Sequence, residues 1–338
     1  MKKLEDIPLV PLTTFRMGPR TRFLIEIERE EEVPAALAFA REQSQPLTIL
    51  SGGSNTIFTG SDRYDGVILK VGIKGIETVA DDPSGTTLRV GAGEIWDDVV
   101  AYAVGCGLSG IEALSAIPGL AGATPVQNVG AYGAEIADVL VSLRAYDYKE
   151  GKFVELDREA CGFAYRDSIF KYESRHLITS ITIRLSKEPP KIPAYPGVQE
   201  YFESAGITEP SLSDIRKAIT EIRWKKLPDP KDVASVGSFF KNPFVDEPVV
   251  TRLRKEFEKP IIFDVGEGKY KVGAGWLIDQ LGLKGKSFGH LSLYPNNALV
   301  IVNDGGATYA ELAELIASIQ AQVHERYGIS IEPEPVFV

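Results

Sequence analysis

Cysteine is nearly missing from this chain. Cys106 and Cys161 stand far apart, in no metal-binding or redox spacing. That argues against a disulfide framework and for buried thiols in a reducing compartment. Histidine is as scarce: His176, His290 and His324 form no ligand pattern with the cysteines. No apolar run approaches the roughly 20 residues of a membrane-spanning helix. The N-terminal MKKLEDIPLV lacks the apolar stretch of a signal peptide, so the expected compartment is the cytoplasm. Positive charge is short as well: 37 Lys and Arg against 47 Asp and Glu give a formal net charge of −10. Such a chain is unsuited to broad binding of nucleic acid or anionic membrane, though a local cation cluster can still hold an anionic small molecule. What remains is an ordinary globular composition, 44% hydrophobic and 25% charged, in 338 residues, enough for two or three cores.

Charge is also absent from one long stretch. From Ile111 to Glu135, IEALSAIPGLAGATPVQNVGAYGAE is built from small and amide residues with single aliphatics between, and only the glutamates at its ends are charged. A surface loop of this length would carry more charge, and a core helix would carry bulkier residues at helical spacing. Small residues let backbone approach something closely. The amides of Gly119, Gly122, Gly130 and Gly133 then suit a nest for a large, flat, partly anionic ligand such as a dinucleotide. A tightly packed structural turn fits the composition equally well.

Elsewhere the pattern predicts strands over 22–28, 47–50, 66–71, 77–80, 87–90, 139–148 and 176–185, and helices over 31–43 and 96–104. The strand at 47–50 runs into Gly52-Gly53-Ser54-Asn55, which offers free amides to a phosphate or forms an ordinary turn. Gly91-Ala92-Gly93 resembles part of a dinucleotide fingerprint, but Trp96 stands where the third glycine belongs, so it reads as a strand-to-helix turn. Residues 191–206 place prolines and aromatics around Tyr195. A helix over 211–226 ends in Arg223-Trp224-Lys225-Lys226, the densest basic cluster of the chain: dipole partners of a helix end, or the cations that a nucleotide diphosphate needs. GSFFKNP (237–243) reads as an apolar strand. Helices over 249–257, 274–281 and 308–327, with strands over 298–302 and 329–332, make a C-terminal α/β module. Gly285-Lys286-Ser287-Phe288-Gly289 imitates both a phosphate loop and a nucleophile elbow. Gln280 breaks the first, and a preceding helix breaks the second.

Four motifs stand in one order: IPG–NVGAYG in the uncharged stretch, YRDSIF at 165–170, KLPDP–GSFFKNP at 226–243, and GWLIDQ at 275–280. Together they resemble the UDP-N-acetylenolpyruvoylglucosamine reductase family, in the branch with a tyrosine-bearing loop. The resemblance implies an α+β fold of the vanillyl-alcohol-oxidase type. Residues 1–69 and 70–227 would be FAD-binding subdomains, with 328–338 returning to the first, and 228–327 an α/β substrate-binding domain. It implies reduction of an enolpyruvyl ether of UDP-N-acetylglucosamine with NADPH, in peptidoglycan precursor synthesis.

Residue by residue, the resemblance assigns catalysis to Ser238 as proton donor, Arg166 over the reacting carbon and Glu334. Glu334 lies in EPEP, where Pro335 replaces the family's valine. Substrate contacts fall on Tyr195, Lys226, Asn242 and Asn297. FAD would be held by Gly52, Gly53, Ser54, Asn55, Ser115, Pro118, Gly119, Gln127, Asn128, Gly130 and Tyr165. Many flavin oxidases of this fold attach FAD through histidine. The three histidines here lie outside the N-terminal flavin segments, so FAD is expected to be non-covalent. No metal is expected, and a monomer is. The residues alone leave open a flavin alcohol oxidase of the same fold or a non-catalytic nucleotide-sugar binder.

Overall fold

Short apolar runs, Phe23-Leu24-Ile25 in Arg20–Ile27 and Val67-Ile68-Leu69 in Arg63–Val71, are buried at every position, as in strands covered on both faces. The two strands pair in parallel in the computed structural model, which describes residues 1–60, 62–173 and 175–338. Leu47–Leu50 adds a third parallel strand and Lys2–Pro8 an outer one, in the order Lys2–Pro8, Arg20–Ile27, Arg63–Val71, Leu47–Leu50. Helix α1 (Val33–Glu42) covers this sheet with Val33, Ala36, Leu37 and Ala40, packed on Ile25, Ile27, Val67 and Leu69. Lys2–Pro8 escaped the sequence reading because it is an edge strand with no buried residue, and so has no apolar alternation.

A second, antiparallel sheet runs Lys152–Asp157, Leu140–Asp147, His176–Ser186, Gly85–Gly91, Ile76–Asp82. One face buries Leu88, Val90, Leu143, Ile181 and Ile183 against Trp96, Val99 and Val100 of helix α2 (Trp96–Gly105). Helices α3 (Pro196–Ala205) and α4 (Leu212–Lys226) close a small core of Val198, Phe202, Ile215, Ala218, Ile219 and Ile222. The region of the expected tyrosine-bearing loop, 191–206, is therefore largely α3. Its prolines and glycines are end signals: Pro196 opens the helix and Gly206, at φ +67°, stops it. These elements form one compact unit, made of Met1–Ile7, Arg20–Gly53 and Arg63–Trp224.

The other unit comprises Pro8–Pro19, Ser54–Asp62 and Lys225–Val338. Its main sheet is antiparallel, in the order Ala234–Ser238, Val300–Asn303, Leu291–Leu293, Ser287–Phe288. Helices α5 (Glu247–Glu256), α6 (Ala274–Gln280) and α7 (Tyr309–Tyr327) and a three-stranded sheet complete it. Thr308 and Glu311 cap α7 reciprocally. The strand expected over 237–243 ends at Ser238, beyond a register shift, and Phe239 and Phe240 drop into the core. No strand forms over 329–332. Lys241 N–H donates to Glu332 O and Glu334 N–H to Phe239 O, and the terminal strand is Val336–Phe337, parallel to Thr56–Ile57. Ser287 sits in a hairpin opposite Ser292, which removes the nucleophile-elbow geometry.

Asn303, 4% exposed, ties three stretches of this unit together. Its Nδ2 donates to Phe15 O at 2.9 Å, and its Oδ1 accepts from Gly305 N at 2.8 Å and Ala307 N at 3.2 Å. Asn303→Ala strands these groups and is expected to destabilise the protein by about 1–3 kcal/mol. The check is a lower denaturant midpoint at unchanged slope; an unaltered midpoint contradicts the role.

Candidate functional site

The uncharged stretch lies against the start of α2. Trp96 N–H donates to Gly119 O and Trp96 Nε1 to Leu114 O, both at 3.1 Å. Ala121 N–H donates to Glu94 O at 2.8 Å and Gly122 N–H to Ala92 O at 2.9 Å. Glycine permits this approach: a Cβ on Gly122 would lie 2.5 Å from Ala92 Cβ, and one on Gly52 would lie 3.0 Å from Gly119 Cα. The glycine turn after the strand Leu47–Leu50 thus abuts the uncharged stretch. Gly53, Ala116, Gly119 and Asn128 all have positive φ. Beside the turn, Ser51 Oγ is buried with no hydrogen-bond partner among the described residues. Left-handed backbone, glycine-lined surfaces and an orphaned hydroxyl fit the phosphates of a dinucleotide such as FAD.

YRDSIF forms a tight turn, with Ala164 and Asp167 exchanging backbone hydrogen bonds of 3.1 Å. Three bonds anchor it to the stretch. Asn128 Nδ2 donates to Ala164 O at 3.1 Å, Ser168 Oγ donates to Val126 O at 2.6 Å, and Arg166 Nη2 donates to Gly130 O. Arg166 adopts φ +54°, a costly conformation for a side-chain-bearing residue. Lys171 Nζ donates to its carbonyl. Asn128, 1% exposed, also donates to Glu135 Oε2 at 2.7 Å and accepts from Ala137 N at 3.2 Å. Ser115 Oγ donates to Glu112 O at 2.6 Å.

Tyr195 leads into α3, and its ring stands edge-on to Tyr132 at 5.1 Å. From α4, Arg223 bonds Tyr132, and its Nε is buried with no partner among the described residues. Burial pulls the Arg223 pKa down, and burial likewise pushes the Tyr132 hydroxyl up. The sequence reading took Arg223 as one member of a basic cluster and singled out Lys226. Helical spacing was the missed signal: Arg216 and Arg223 lie seven residues apart, on one stripe of α4.

The remaining candidates belong to the second unit. Ser238 pairs with Val300 at the end of its strand. The run from Ser238 to Lys241 pairs with 332–334, so Ser238 and Glu334 occupy adjoining stretches of backbone. Glu334 is partly buried and Pro335 is buried, unlike a solvated tail. Asn55 joins the same group: its Nδ2 donates to Glu334 O at 3.3 Å and its carbonyl accepts from Val336 N at 2.9 Å. Thr14 Oγ1 donates to Ser54 O at 3.5 Å. Asn242 Oδ1 accepts from Ala274 N at 2.9 Å at the start of α6, and Asn297 Oδ1 from Leu299 N at 3.0 Å. Lys226 is exposed at the end of α4.

Known proteins resemble this chain along its whole length. An FAD binding domain family matches residues 21–157, and the family of the UDP-N-acetylenolpyruvoylglucosamine reductase C-terminal domain matches residues 229–338. The UDP-N-acetylenolpyruvoylglucosamine reductase of Pseudomonas aeruginosa is 41% identical over 332 residues, 98% of this chain and 97% of that protein. Those of Azoarcus sp. and Dechloromonas aromatica are 40% and 37% identical, covering 98% and 100% of this chain and 97% and 100% of their own lengths. The crystal structure of the Thermus caldophilus reductase aligns with 99% of this chain and 98% of its own, at TM-score 0.67 and 24% identity, a likeness of fold.

A Cβ on Gly130 would lie 2.9 Å from Arg166 Nη1 and 3.0 Å from Ala134 O. Gly130→Ala is therefore expected to displace the guanidinium while the anchors at Asn128 and Ser168 persist, at a cost of about 1–3 kcal/mol for overpacking. A crystal structure of the variant with Arg166 unmoved would refute this.

Proposed function

The chain belongs to the UDP-N-acetylenolpyruvoylglucosamine reductase family, and from that premise we propose how its residues divide the reaction. The enzyme is an FAD-dependent oxidoreductase. It reduces UDP-N-acetyl-3-O-(1-carboxyvinyl)-glucosamine to UDP-N-acetylmuramate with NADPH, in peptidoglycan precursor synthesis. The observation that carries this conclusion is the match along nearly the whole chain to named reductases, one of them 41% identical. A flavin alcohol oxidase and a non-catalytic sugar-nucleotide binder are not favoured by it.

The chemistry FAD supplies when bound is hydride transfer, from NADPH and on to the substrate's vinyl carbon. In our reading the turn 52–55, the stretch 115–130 and Tyr165 hold it, without a covalent bond. Arg166 faces the substrate carboxylate, which gains electron density as hydride arrives. A guanidinium already fixed by its turn and by Gly130 meets that charge without reorganising. Glu334 would donate a second hydrogen bond to the same oxygens in its acid form. Ser238 delivers the proton to the α-carbon. Serine is a weak acid at neutral pH, so the transfer needs a neighbouring donor or a water to stabilise the serine oxygen as the proton leaves. Lys226 neutralises the diphosphate, while Tyr195, Asn242 and Asn297 hold the rest of the sugar nucleotide. Among the described residues no helix is long and apolar enough to cross a membrane. We assign the protein to the cytoplasm, as a monomer.

The purified full-length chain is expected to be yellow, and acid precipitation is expected to release the colour to the supernatant. Colour retained in the pellet would overturn the non-covalent assignment.

Ser238→Ala is expected to split the reaction. Stopped-flow bleaching of the bound flavin by NADPH stays near the wild-type rate, because no proton goes to substrate carbon. Re-oxidation by the enol ether slows about 10²–10⁴-fold, the usual worth of a positioned acid. Re-oxidation at the wild-type rate moves the proton donor elsewhere.

A further inference from the structure

Helix α2 contributes more than Trp96 to the uncharged stretch. Its Asp97 Oδ1 accepts the backbone N–H of Ala116 at 2.6 Å. Ala116 is 5% exposed and sits at φ +57°, a conformation that an L-residue keeps only when its surroundings enforce it. The same carboxylate is held by α4 through a two-pronged ion pair, Arg216 Nη1 to Oδ1 at 2.7 Å and Nη2 to Oδ2 at 2.9 Å. Both side chains are mostly shielded from solvent, 33% exposed for Asp97 and 23% for Arg216. Burial works against the Asp97 charge, but Arg216 and the Ala116 N–H outweigh it and hold the carboxyl below its ordinary range. Arg216 thus grips Asp97, Asp97 grips Ala116, and Ala116 lies between Ser115 and the Pro118–Gly119 pair.

We propose that Asp97 and Arg216 are positioning residues for the flavin, fixing through Ala116 the backbone of 115–119 that receives it. Neither touches the reacting atoms. The proposal rests on the assignment of 115–119 to the flavin. A brace that merely joins two helices would change stability and leave cofactor affinity alone. A positioning pair must change affinity, and must do so in the order that the chain of contacts dictates. Removing Asp97 breaks the bond to Ala116, whereas removing Arg216 only loosens the carboxylate that makes it.

The test strips the full chain of flavin and titrates it with FAD, reading flavin fluorescence and the absorption bands of the complex, with melting midpoints in parallel. Asp97→Ala is expected to weaken FAD binding about 10- to 100-fold, the range of one charge-assisted hydrogen bond. Asp97→Asn keeps an oxygen for Ala116 and recovers part of the affinity, and Arg216→Met has the smaller effect. The double variant Asp97→Ala/Arg216→Met binds no worse than Asp97→Ala alone, since the influence of Arg216 passes through Asp97. Gly119→Val, at a glycine with φ +124°, reports on the stretch itself. Wild-type affinity in Asp97→Ala, beside weakened binding in Gly119→Val, overturns the pair's role. Wild-type affinity in both places the error in the assignment of 115–119 instead. If Asp97→Ala does not fold, Asp97→Asn and Arg216→Met decide, and unchanged affinity in both overturns the proposal.

Discussion

A methyl group on Gly122 would stand 2.5 Å from Ala92 Cβ, and one on Gly93 would stand 2.4 Å from Gly72 C. Neither distance is available to real atoms. The first unit is built on this constraint: backbone lies on backbone wherever the glycine runs meet. Because the side chains are missing there, the stretch 111–135 can hydrogen-bond along 92–96 as if it belonged to the sheet behind it. Its remaining amides and carbonyls then point elsewhere, in left-handed turns that ordinary residues avoid. The conformational entropy that glycine gives up is the cost of a surface made of peptide groups.

Arg166 depends on the same constraint. Its guanidinium occupies the space that a side chain at 130 would fill, and the turn that carries it is tied down by Asn128 bonding Ala164 O and Ser168 bonding Val126 O. A guanidinium held in this way would meet developing negative charge without reorganising, which is what the role proposed for Arg166 requires. Asn128, Gly130 and Ser168 of these motifs therefore serve placement. In the second unit the corresponding device is apolar. Phe239 and Phe240 are sunk in the core, and this pins the backbone on which Ser238 sits and against which 332–334 is laid.

Much of this was legible in the sequence because it follows from local pattern. Alternation and short apolar segments gave the strands at 22–28, 47–50 and 66–71 but not their parallel pairing, small uncharged residues gave the segment 111–135, and four motifs in order gave the family. Where the reading failed, the local signal was absent or double-edged. Lys2–Pro8 has no buried face to betray it. Pro196, Gly197 and Gly206 look like loop residues, yet each is also at home at a helix end. Ile329–Glu332 alternates like a strand, but Ile331 O accepts from Gln320 Nε2 and Glu332 O from Lys241 N–H, not from a strand ladder.

The sequence by itself determined the composition class, most elements and the chemistry to expect, because periodicity and motif identity are properties of neighbouring residues. Tertiary structure alone decided which distant groups act on one another. Arg223 meets Tyr132 about ninety residues away, and Arg216 meets Asp97 across 119 positions. Asn55 meets the backbone of Glu334 across 279. No spacing rule links such positions. Ion pairs and capping bonds are specified by geometry over a few ångströms, and only the packed cores of the two units bring those atoms into range.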